Sequence, residues 1–228
     1  MLLKILRIES SGNCVIMNDE LIEDSLLDFY VNDVCVERFH CLAQDLEELA
    51  LGHLIYMGTR PNRWSVRIDN RSIRIFLEDH QKVEDELLPF KTKVSARKII
   101  EAMEDLLNDP LHKTTGAVHI AGLYDKDGKR LVRFEDVGRH NVVDKVIGWI
   151  VKNDVPAEGK MLLCSGRLPA DMVLKCVRAR VEILASKAPA LMSAIGMAQR
   201  YGLTLIGFVR EKRMNVYTNP SRIEEVSV

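Results

Sequence analysis

The residues best suited to chemistry in this sequence lie where strand-like segments give way to helix-like ones. In residues 135–148, EDVGRHNVVDKVIG, Gly138 delivers Arg139, His140 and Asn141 to the start of an amphipathic helix. The first turn of a helix leaves backbone N–H groups unpaired and carries the positive end of the dipole, so it suits a bound anion. The segment therefore predicts an anion-binding turn. The alternative is an ordinary connection in which Asn141 caps the helix.

Three later segments repeat this placement of basic residues beside strand and helix ends. They are CSGR, ASKAP and VREKRMN, which contribute Arg167, Lys187, Arg210, Lys212 and Arg213. In α/β sheets, ligands usually bind at the edge formed by the carboxyl ends of the parallel strands. Because guanidinium groups and helix N-termini both match phosphate oxygens, we expect a phosphate or pyrophosphate ligand at this edge. Lys187 and Lys212 are equally consistent with plain surface lysines.

The first 93 residues predict a small β-rich part. Short alternating strands separated by turns fill the first 40 residues and read as an antiparallel sheet, and WSVRID and SIRIFL read as a hairpin. Asp45 precedes a helical pattern whose apolar face comprises Leu46, Leu49, Ala50, Leu54 and Met57. The charged, proline-containing stretch 78–93 is the predicted seam, with the boundary near residue 93.

Residues 94–228 predict an α/β domain. Ser95 can cap a helix that ends before Pro110, and a hairpin with the turn DKDG follows. Beyond the helix of residues 139–150, strand and helix patterns alternate to the C-terminal segment LTLIGFV. A hairpin followed by strand–helix repeats predicts a mixed sheet with flanking helices.

Composition limits the classes of function. A net charge of -1 argues against a broad surface for nucleic acid or anionic membrane, and the sequence has no run of about 18 apolar residues. The N-terminal MLLKILRIES is too short and too regularly charged for a signal peptide, so we expect a cytoplasmic protein. Five cysteines without a CxxC pair favour reduced thiols over disulfides or a zinc site.

The sequence contains three long motifs, DVGRHNVVDKVIG, SGRLPADMVLKCVRA and GLTLIGFVREKRMNVYTNPSRI, and two others, TTGAVHIAG and DLEELALGHLIYMG. The first three motifs resemble the FdhD family, the formate dehydrogenase accessory sulfurtransferases, and the other two look like further family motifs in the family's order. The resemblance runs from about residue 25 to residue 223 and is weakest at residues 1–24 and 60–110.

The resemblance implies a homodimeric cytoplasmic protein whose larger domain has a cytidine-deaminase-like fold. Family members take sulfur from a cysteine desulfurase and pass it to the molybdenum or tungsten bis-pterin guanine dinucleotide cofactor of formate dehydrogenase. That cofactor carries pyrophosphates and guanines, which agrees with the phosphate ligand expected at the basic edge. The hairpin followed by strand–helix repeats also agrees with the implied fold.

The resemblance also implies site residues. The family's nucleotide-binding segment falls on Phe208, Val209, Arg210, Glu211, Lys212 and Arg213. The central motif contributes Gly138, Arg139, His140, Asn141, Asp144 and Lys145, and the next motif contributes Ser165, Gly166, Arg167, Met172 and Lys175. We expect Arg139 and Arg167 to hold phosphate oxygens and Asp144 to accept a hydrogen bond from a guanine edge or to orient Arg139. The alternative for Asp144 and Lys145 is a solvated pair on a helix.

The implied fold raises the question of a zinc deaminase, which needs an HxE…PCxxC arrangement. Here the segment reads His119-Ile120-Ala121, no PCxxC follows, and the corresponding later segment is SGRLPADM. The pattern therefore predicts neither zinc nor deamination. His119 is then a strand histidine with satisfied hydrogen bonds or a residue that hydrogen-bonds the ligand.

Sulfur chemistry lacks its expected nucleophile. The family carries its persulfide on a mobile CxxC loop, and the corresponding segment here, residues 77–93, contains no cysteine. Cys164 is the candidate substitute, because the following helix and Arg167 could lower the pKa of its thiol. The alternative for Cys164, and the expectation for Cys14, Cys35, Cys41 and Cys176, is a small buried side chain.

Three hypotheses about function follow. The first is an FdhD-like accessory protein that binds a molybdopterin or tungstopterin guanine dinucleotide, or GDP, and assists maturation of formate dehydrogenase. The second is a sulfurtransferase that works through Cys164 or through a partner's thiol. The third is a guanine-nucleotide-binding regulatory protein without sulfurtransferase activity. Whether the protein is an enzyme stays open, because the CxxC is absent.

Overall fold

The fold is taken from a computed structural model that describes residues 2–90, 92–109 and 116–226. Lys91 of the predicted seam, Pro110, and the first two residues of the TTGAVHIAG motif lie outside the described residues. The helices are α1 (Leu46–Tyr56), α2 (Ala96–Leu107), α3 (Arg139–Lys152), α4 (Ala170–Arg178) and α5 (Met192–Tyr201). The strands are β1 (Leu2–Ile8), β2 (Cys14–Glu20), β3 (Ser25–Val31), β4 (Val34–Cys41), β5 (Thr59–Ile68), β6 (Ser72–Lys82), β7 (His119–Asp125), β8 (Arg130–Asp136), β9 (Lys160–Cys164), β10 (Ile183–Ser186), β11 (Thr204–Arg210) and β12 (Arg213–Val216).

The N-terminal strands form two separate sheets rather than one. β1 and β2 pair with each other as an antiparallel ribbon, and the next sheet has the strand order β4-β3-β6-β5. The expected antiparallel pairing holds for β1 with β2 and for β3 with β4, and the β5–β6 hairpin is confirmed. The expectation of one antiparallel sheet was wrong, because β3 pairs in parallel with β6, a partner more than 40 residues away.

Helix α1 is buried on nearly all sides rather than on one face. Its buried residues include Leu51, His53 and Ile55 as well as four of the five residues of the predicted apolar face. The helix packs against α3 and α4 and against β5 and β6, so apolar side chains are needed all round. Met57 was wrongly placed in the core, because it lies beyond the end of the helix and is exposed.

A six-stranded mixed sheet carries the larger part of the chain, with the strand order β12-β11-β10-β9-β7-β8. β9, β10 and β11 are parallel, whereas β7, β8 and β12 run antiparallel to their neighbours. On β9, Leu162 packs into the core shared with α1, α3, α4 and α5, and Leu163 packs into a second core with α2. The predicted mixed sheet with flanking helices is confirmed and is consistent with the cytidine-deaminase-like arrangement.

Local signals placed the remaining elements well, with one exception. Ser95 caps α2, since its Oγ accepts a hydrogen bond from the backbone N–H of Lys98. The segment VREKRMN was predicted as a loop, but Arg213–Val216 forms β12. The core that α1 shares with α3 crosses the predicted boundary near residue 93, and the division into two domains stays a prediction. Among the described helices, none is both long and apolar enough to cross a membrane.

Candidate functional site

Gly138 and Asp136 shape the turn that begins α3. Gly138 is the N-cap, and its N–H donates to Asp136 Oδ1 at 2.9 Å. The Asn141 side chain donates to the same Oδ1 at 2.9 Å and to the backbone oxygen of His40 at 2.7 Å. A Cβ on residue 138 would stand 2.6 Å from Asn141 Nδ2, which explains the glycine. Asn141 was wrongly considered as the cap, because it lies inside the helix and ties the turn to β4.

Asp144 and Lys145 lie in the interior and have different partners. Asp144 accepts hydrogen bonds from Lys175 Nζ at 2.6 and 2.7 Å and lies 3.4 Å from His53 Nδ1. Lys145 Nζ pairs with Asp136 Oδ2 at 2.7 Å and donates to the Glu135 backbone oxygen at 3.1 Å. The alternative of a solvated pair was therefore wrong, since Asp144 and Lys145 are 1% and 0% exposed.

A first cavity, of about 290 Å³, lies beside the first turns of α3 and α4. His140 Nε2 is 2.8 Å from Asp171 Oδ2, and the neighbouring His140 ring holds the pKa of Asp171 below its ordinary value. Asp144 and Lys175 also line this cavity, with residues of β4 and α1. The central motif is therefore divided, because His140, Asn141 and Asp144 face this cavity, whereas Arg139 lies elsewhere.

Arg139 packs against the loop that joins β9 to α4. A Cβ on Gly166 would stand 2.9 Å from Arg139 Cβ and 3.5 Å from His119 Nδ1, so the glycine lets both side chains approach the loop. Ser165 Oγ accepts a hydrogen bond from the N–H of Ile120 at 3.1 Å and lies 3.2 Å from His119 Nδ1. Arg139 Nε is buried and has no hydrogen-bond partner among the described residues, as expected of a group that awaits an acceptor.

Two further cavities adjoin at the carboxyl edge of the sheet. The smaller, about 330 Å³, is lined by His119, Ser165, Lys187 and Arg210, together with residues 116–118 and 188–189. The larger, about 620 Å³, is lined by Lys187 and Arg210 and by Glu104, Leu107, Asn108, Val209 and Glu211. Lys187 and Arg210 border both, so we call the two cavities together the edge groove.

The β11–β12 hairpin combines a strained backbone with the cationic side chain of Arg210 at the edge groove. Phe208 and Glu211 have φ values of 52° and 37°, a left-handed conformation that costs a non-glycine residue on the order of 1–3 kcal/mol. Arg210 lies directly opposite Arg213 across the hairpin, and like charges in this position are destabilising. The N–H of Phe208 donates to the Ala188 oxygen at 3.2 Å, which joins the hairpin to the ASKAP loop. Such a segment suits a bound anion.

The predicted basic residues are only partly brought together. Three of the predicted loops meet at the edge groove: CSGR through Ser165, ASKAP through Lys187 and VREKRMN through Arg210. Arg139 contacts the CSGR loop at Gly166. Arg167, Lys212 and Arg213 are exposed and do not line the groove.

The sequence reasoning missed several residues that shape these cavities. Ser186 Oγ donates to the Gly166 oxygen at 2.6 Å and accepts from the N–H of Ala188 at 3.0 Å, which locks two groove loops together. Glu104 and Asn108 reach the groove from the end of α2, and His53 and Asp171 belong to the first cavity. A serine at a strand end was a usable signal for Ser186, but the others depend on contacts between distant segments.

Burial decides the state of the cysteines. Cys164 is 1% exposed, and burial raises the pKa of its thiol to about 11, so the expected lowering by Arg167 was wrong. Burial also raises the pKa of Cys176, and it raises that of Cys41 to about 11. Cys14 and Cys35 were wrongly expected to be buried, because both are exposed. Among the described residues, no group of three or more His, Cys, Asp or Glu could hold a metal ion.

Comparisons with known proteins agree with these observations. A family model described as the FdhD/NarQ family matches residues 69–224. Protein FdhD of Methanocaldococcus jannaschii is 30% identical over 213 residues, which cover 92% of each chain. Sulfur carrier protein FdhD of Methanothermobacter thermautotrophicus is 34% identical over 230 residues, which cover 90% of this chain and 92% of that protein.

A solved structure resembles the whole fold. The crystal structure of a Desulfotalea psychrophila protein, provisionally described as a formate dehydrogenase accessory protein, matches with a TM-score of 0.87 at 29% identity and covers 98% of each chain. Because the family model covers more than half of this chain and the two FdhD relatives align along nine tenths of it, the chain belongs to the FdhD/NarQ family.

Proposed function

We propose that this protein is an accessory protein of formate dehydrogenase maturation. In this proposal it binds the molybdenum or tungsten bis-pterin guanine dinucleotide cofactor, or GDP, in the edge groove, and it assists sulfuration or delivery of that cofactor. The names of the related proteins support the accessory role, since they describe a sulfur carrier and a formate dehydrogenase accessory protein.

The observation that carries the proposal is the arrangement of cations around the edge groove. Arg210 and Lys187 border both cavities, and Arg213 lies opposite Arg210 across the hairpin. A pyrophosphate in the groove would accept charge-assisted hydrogen bonds from Lys187 and Arg210. By neutralising Arg210 it would also offset the repulsion from Arg213, which lies outside the groove. The buried Nε of Arg139, at the start of α3, has no hydrogen-bond partner among the described residues and fits an additional acceptor.

Sulfur must come from a thiol other than the family's CxxC. Residues 77–93 contain no cysteine, and Cys164 is buried with a raised pKa, so the thiolate that attacks sulfur is scarce there. We therefore place the sulfur-carrying thiol on a partner, with a cysteine desulfurase and formate dehydrogenase as the expected partners. A homodimer also belongs to this proposal, and light scattering coupled to size-exclusion chromatography measures it. Family membership favours this accessory role over the guanine-nucleotide regulator.

The test is direct identification of the ligand. Mass spectrometry of the purified protein should detect a guanine-containing pterin, and titration calorimetry should detect GDP binding. Arg210→Ala should weaken GDP binding roughly tenfold to a hundredfold, because a charge-assisted contact contributes about 1.5–3 kcal/mol. Arg7→Ala removes an exposed arginine from the separate β1–β2 ribbon and serves as the matched control. If neither ligand binds, or if both variants lose affinity equally, the proposal fails.

A further inference from the structure

The larger cavity of the edge groove has charges of opposite sign. Lys187 and Arg210 lie where it adjoins the smaller cavity, and the carboxylates of Glu104 and Glu211 also line it. In the part of the chain that the structure describes, neither carboxylate takes part in an ion pair. Leu107, which is half-buried, supplies apolar wall to this cavity. A ligand that fills this cavity must therefore present an anion, an apolar surface and hydrogen-bond donors.

A guanine nucleotide has this combination. Its phosphates match the lysine and arginine and would be repelled by the carboxylates, and the flat faces of its base suit the apolar wall. The guanine edge carries two adjacent donors, N1–H and the N2 amino group, which match the two acceptor oxygens of one carboxylate. Adenine places the unprotonated N1 acceptor beside its amino group, so a carboxylate in the same position opposes a lone pair.

Resting on the proposed function, we infer that Glu104 is the residue that selects guanine over adenine in the edge groove. Glu104 belongs to the last turn of α2, whose apolar face packs under the sheet through Met103 and Leu106. A side chain on a packed helix is held more precisely than one in a turn. Glu211 lies in the β11–β12 turn with a left-handed backbone, so it is the less suitable reader of the base.

This assignment gives the dinucleotide a direction in the groove. The guanine lies in the cavity of about 620 Å³, which is within the usual size range of ligand pockets. The phosphates lie at Lys187 and Arg210, and the pterin half of a dinucleotide extends toward His119 and Ser165 in the cavity of about 330 Å³.

The experiment compares GDP with ADP by titration calorimetry on the whole 228-residue chain. We expect the wild type to prefer GDP, and Glu104→Gln to lower the GDP-to-ADP affinity ratio about tenfold to a hundredfold, because glutamine turns a donor toward the guanine donors. The ratio cancels any general effect of net charge on phosphate binding. Glu101→Gln, on the same helix but outside the groove, is the matched control and should leave the ratio unchanged.

Each outcome has a defined meaning. An unchanged GDP-to-ADP affinity ratio in Glu104→Gln overturns the inference, even if both nucleotides bind more weakly, because it indicates a role without base selection. In that case GDP binding by the wild type still supports the proposed function. A larger change of the GDP-to-ADP ratio in Glu211→Gln than in Glu104→Gln would mean that Glu211 recognises the base, and it overturns the assignment to Glu104. If the wild type binds no GDP, both the inference and GDP binding at this site fail.

Discussion

Gly52 of α1 and Asp144 of α3 are in backbone contact, since a Cβ built on Gly52 would stand 1.8 Å from the carbonyl oxygen of Asp144. The contact is reciprocal, because a Cβ on Gly148 of α3 would stand 1.8 Å from the carbonyl oxygen of Glu48 of α1. Two glycines therefore let the helices cross at their backbones. This crossing brings His53, the residue after Gly52, to the buried carboxylate of Asp144.

We expect Gly52→Ala to destabilise the protein by about 3 kcal/mol or more, because the added methyl group overlaps backbone that cannot move aside without separating the helices. Urea denaturation followed by circular dichroism measures the free energy of unfolding. Gly196→Ala in α5 is the control, because its Cβ would meet nothing within 4 Å and alanine favours a helix by about 0.5–1 kcal/mol over glycine. Equal stability of the Gly52→Ala variant and the wild type would contradict the observed crossing.

Asp144 and Lys175 should matter for stability more than for ligand affinity. Asp144→Asn leaves the buried Lys175 without its carboxylate, and Lys175→Met leaves the buried Asp144 without its lysine, so each should cost about 3–5 kcal/mol. The double variant should cost less than the sum of the two. Neither residue lines the edge groove, so folded Asp144→Asn should keep its affinity for GDP.

Measurements of stability and of GDP binding on Asp144→Asn can also contradict this prediction. If Asp144→Asn keeps its stability but loses GDP affinity, the carboxylate contacts the base, as the sequence-based hypothesis held. The stability measurement and the binding measurement therefore separate the two roles of this residue.

The parts of the fold that depend on residues close together in the sequence were predictable. The hairpin at DKDG and the helix cap at Ser95 rest on turn and capping chemistry within a few residues, and both are present. Strand β12 was missed because REKRMN has the composition of a polar loop. It is a strand because its backbone pairs with β11. The separation of the N-terminal strands into two sheets rests on the distant pairing of β3 with β6.

The candidate site was predictable where it follows from the topology of the sheet. Ser165 and Lys187 directly follow β9 and β10, Arg210 ends β11, and the carboxyl ends of parallel strands bring them together. The direction of Asp144 was not predictable, because its partners His53 and Lys175 come from α1 and α4, 91 and 31 residues away. The acidity of Cys164 was misjudged because burial outweighs the nearby helix start.

Glu135 should make stability depend on pH. Burial and a hydrogen bond with Asp109 raise the pKa of Glu135 from 4.5 to about 7. The folded state thus holds a proton that the unfolded state releases, so stability falls as pH rises from about 4.5 to 7. Glu135→Gln should remove this dependence. The difference in Tm between the variant and the wild type should therefore change by a few degrees across that pH range, a small effect because solvent screens the partly exposed Glu135. A constant difference from pH 4.5 to 7 would contradict the raised pKa.

Thiol labelling should separate the surface cysteines from those of the core. Cys14 and Cys35 are exposed, whereas Cys164 is buried with a pKa raised to about 11, so iodoacetamide at pH 7.5 should modify only the first two among these three in the folded protein. Peptide mass spectrometry locates the label, and labelling in urea, where Cys164 should react, is the control.

The same assay after incubation with a cysteine desulfurase and labelled cysteine should find no persulfide on Cys164. A persulfide on Cys164 would contradict this prediction and would support the hypothesis of a sulfurtransferase that uses its own thiol. It would also show that the end of β9 opens, because sulfur cannot otherwise reach the buried thiol.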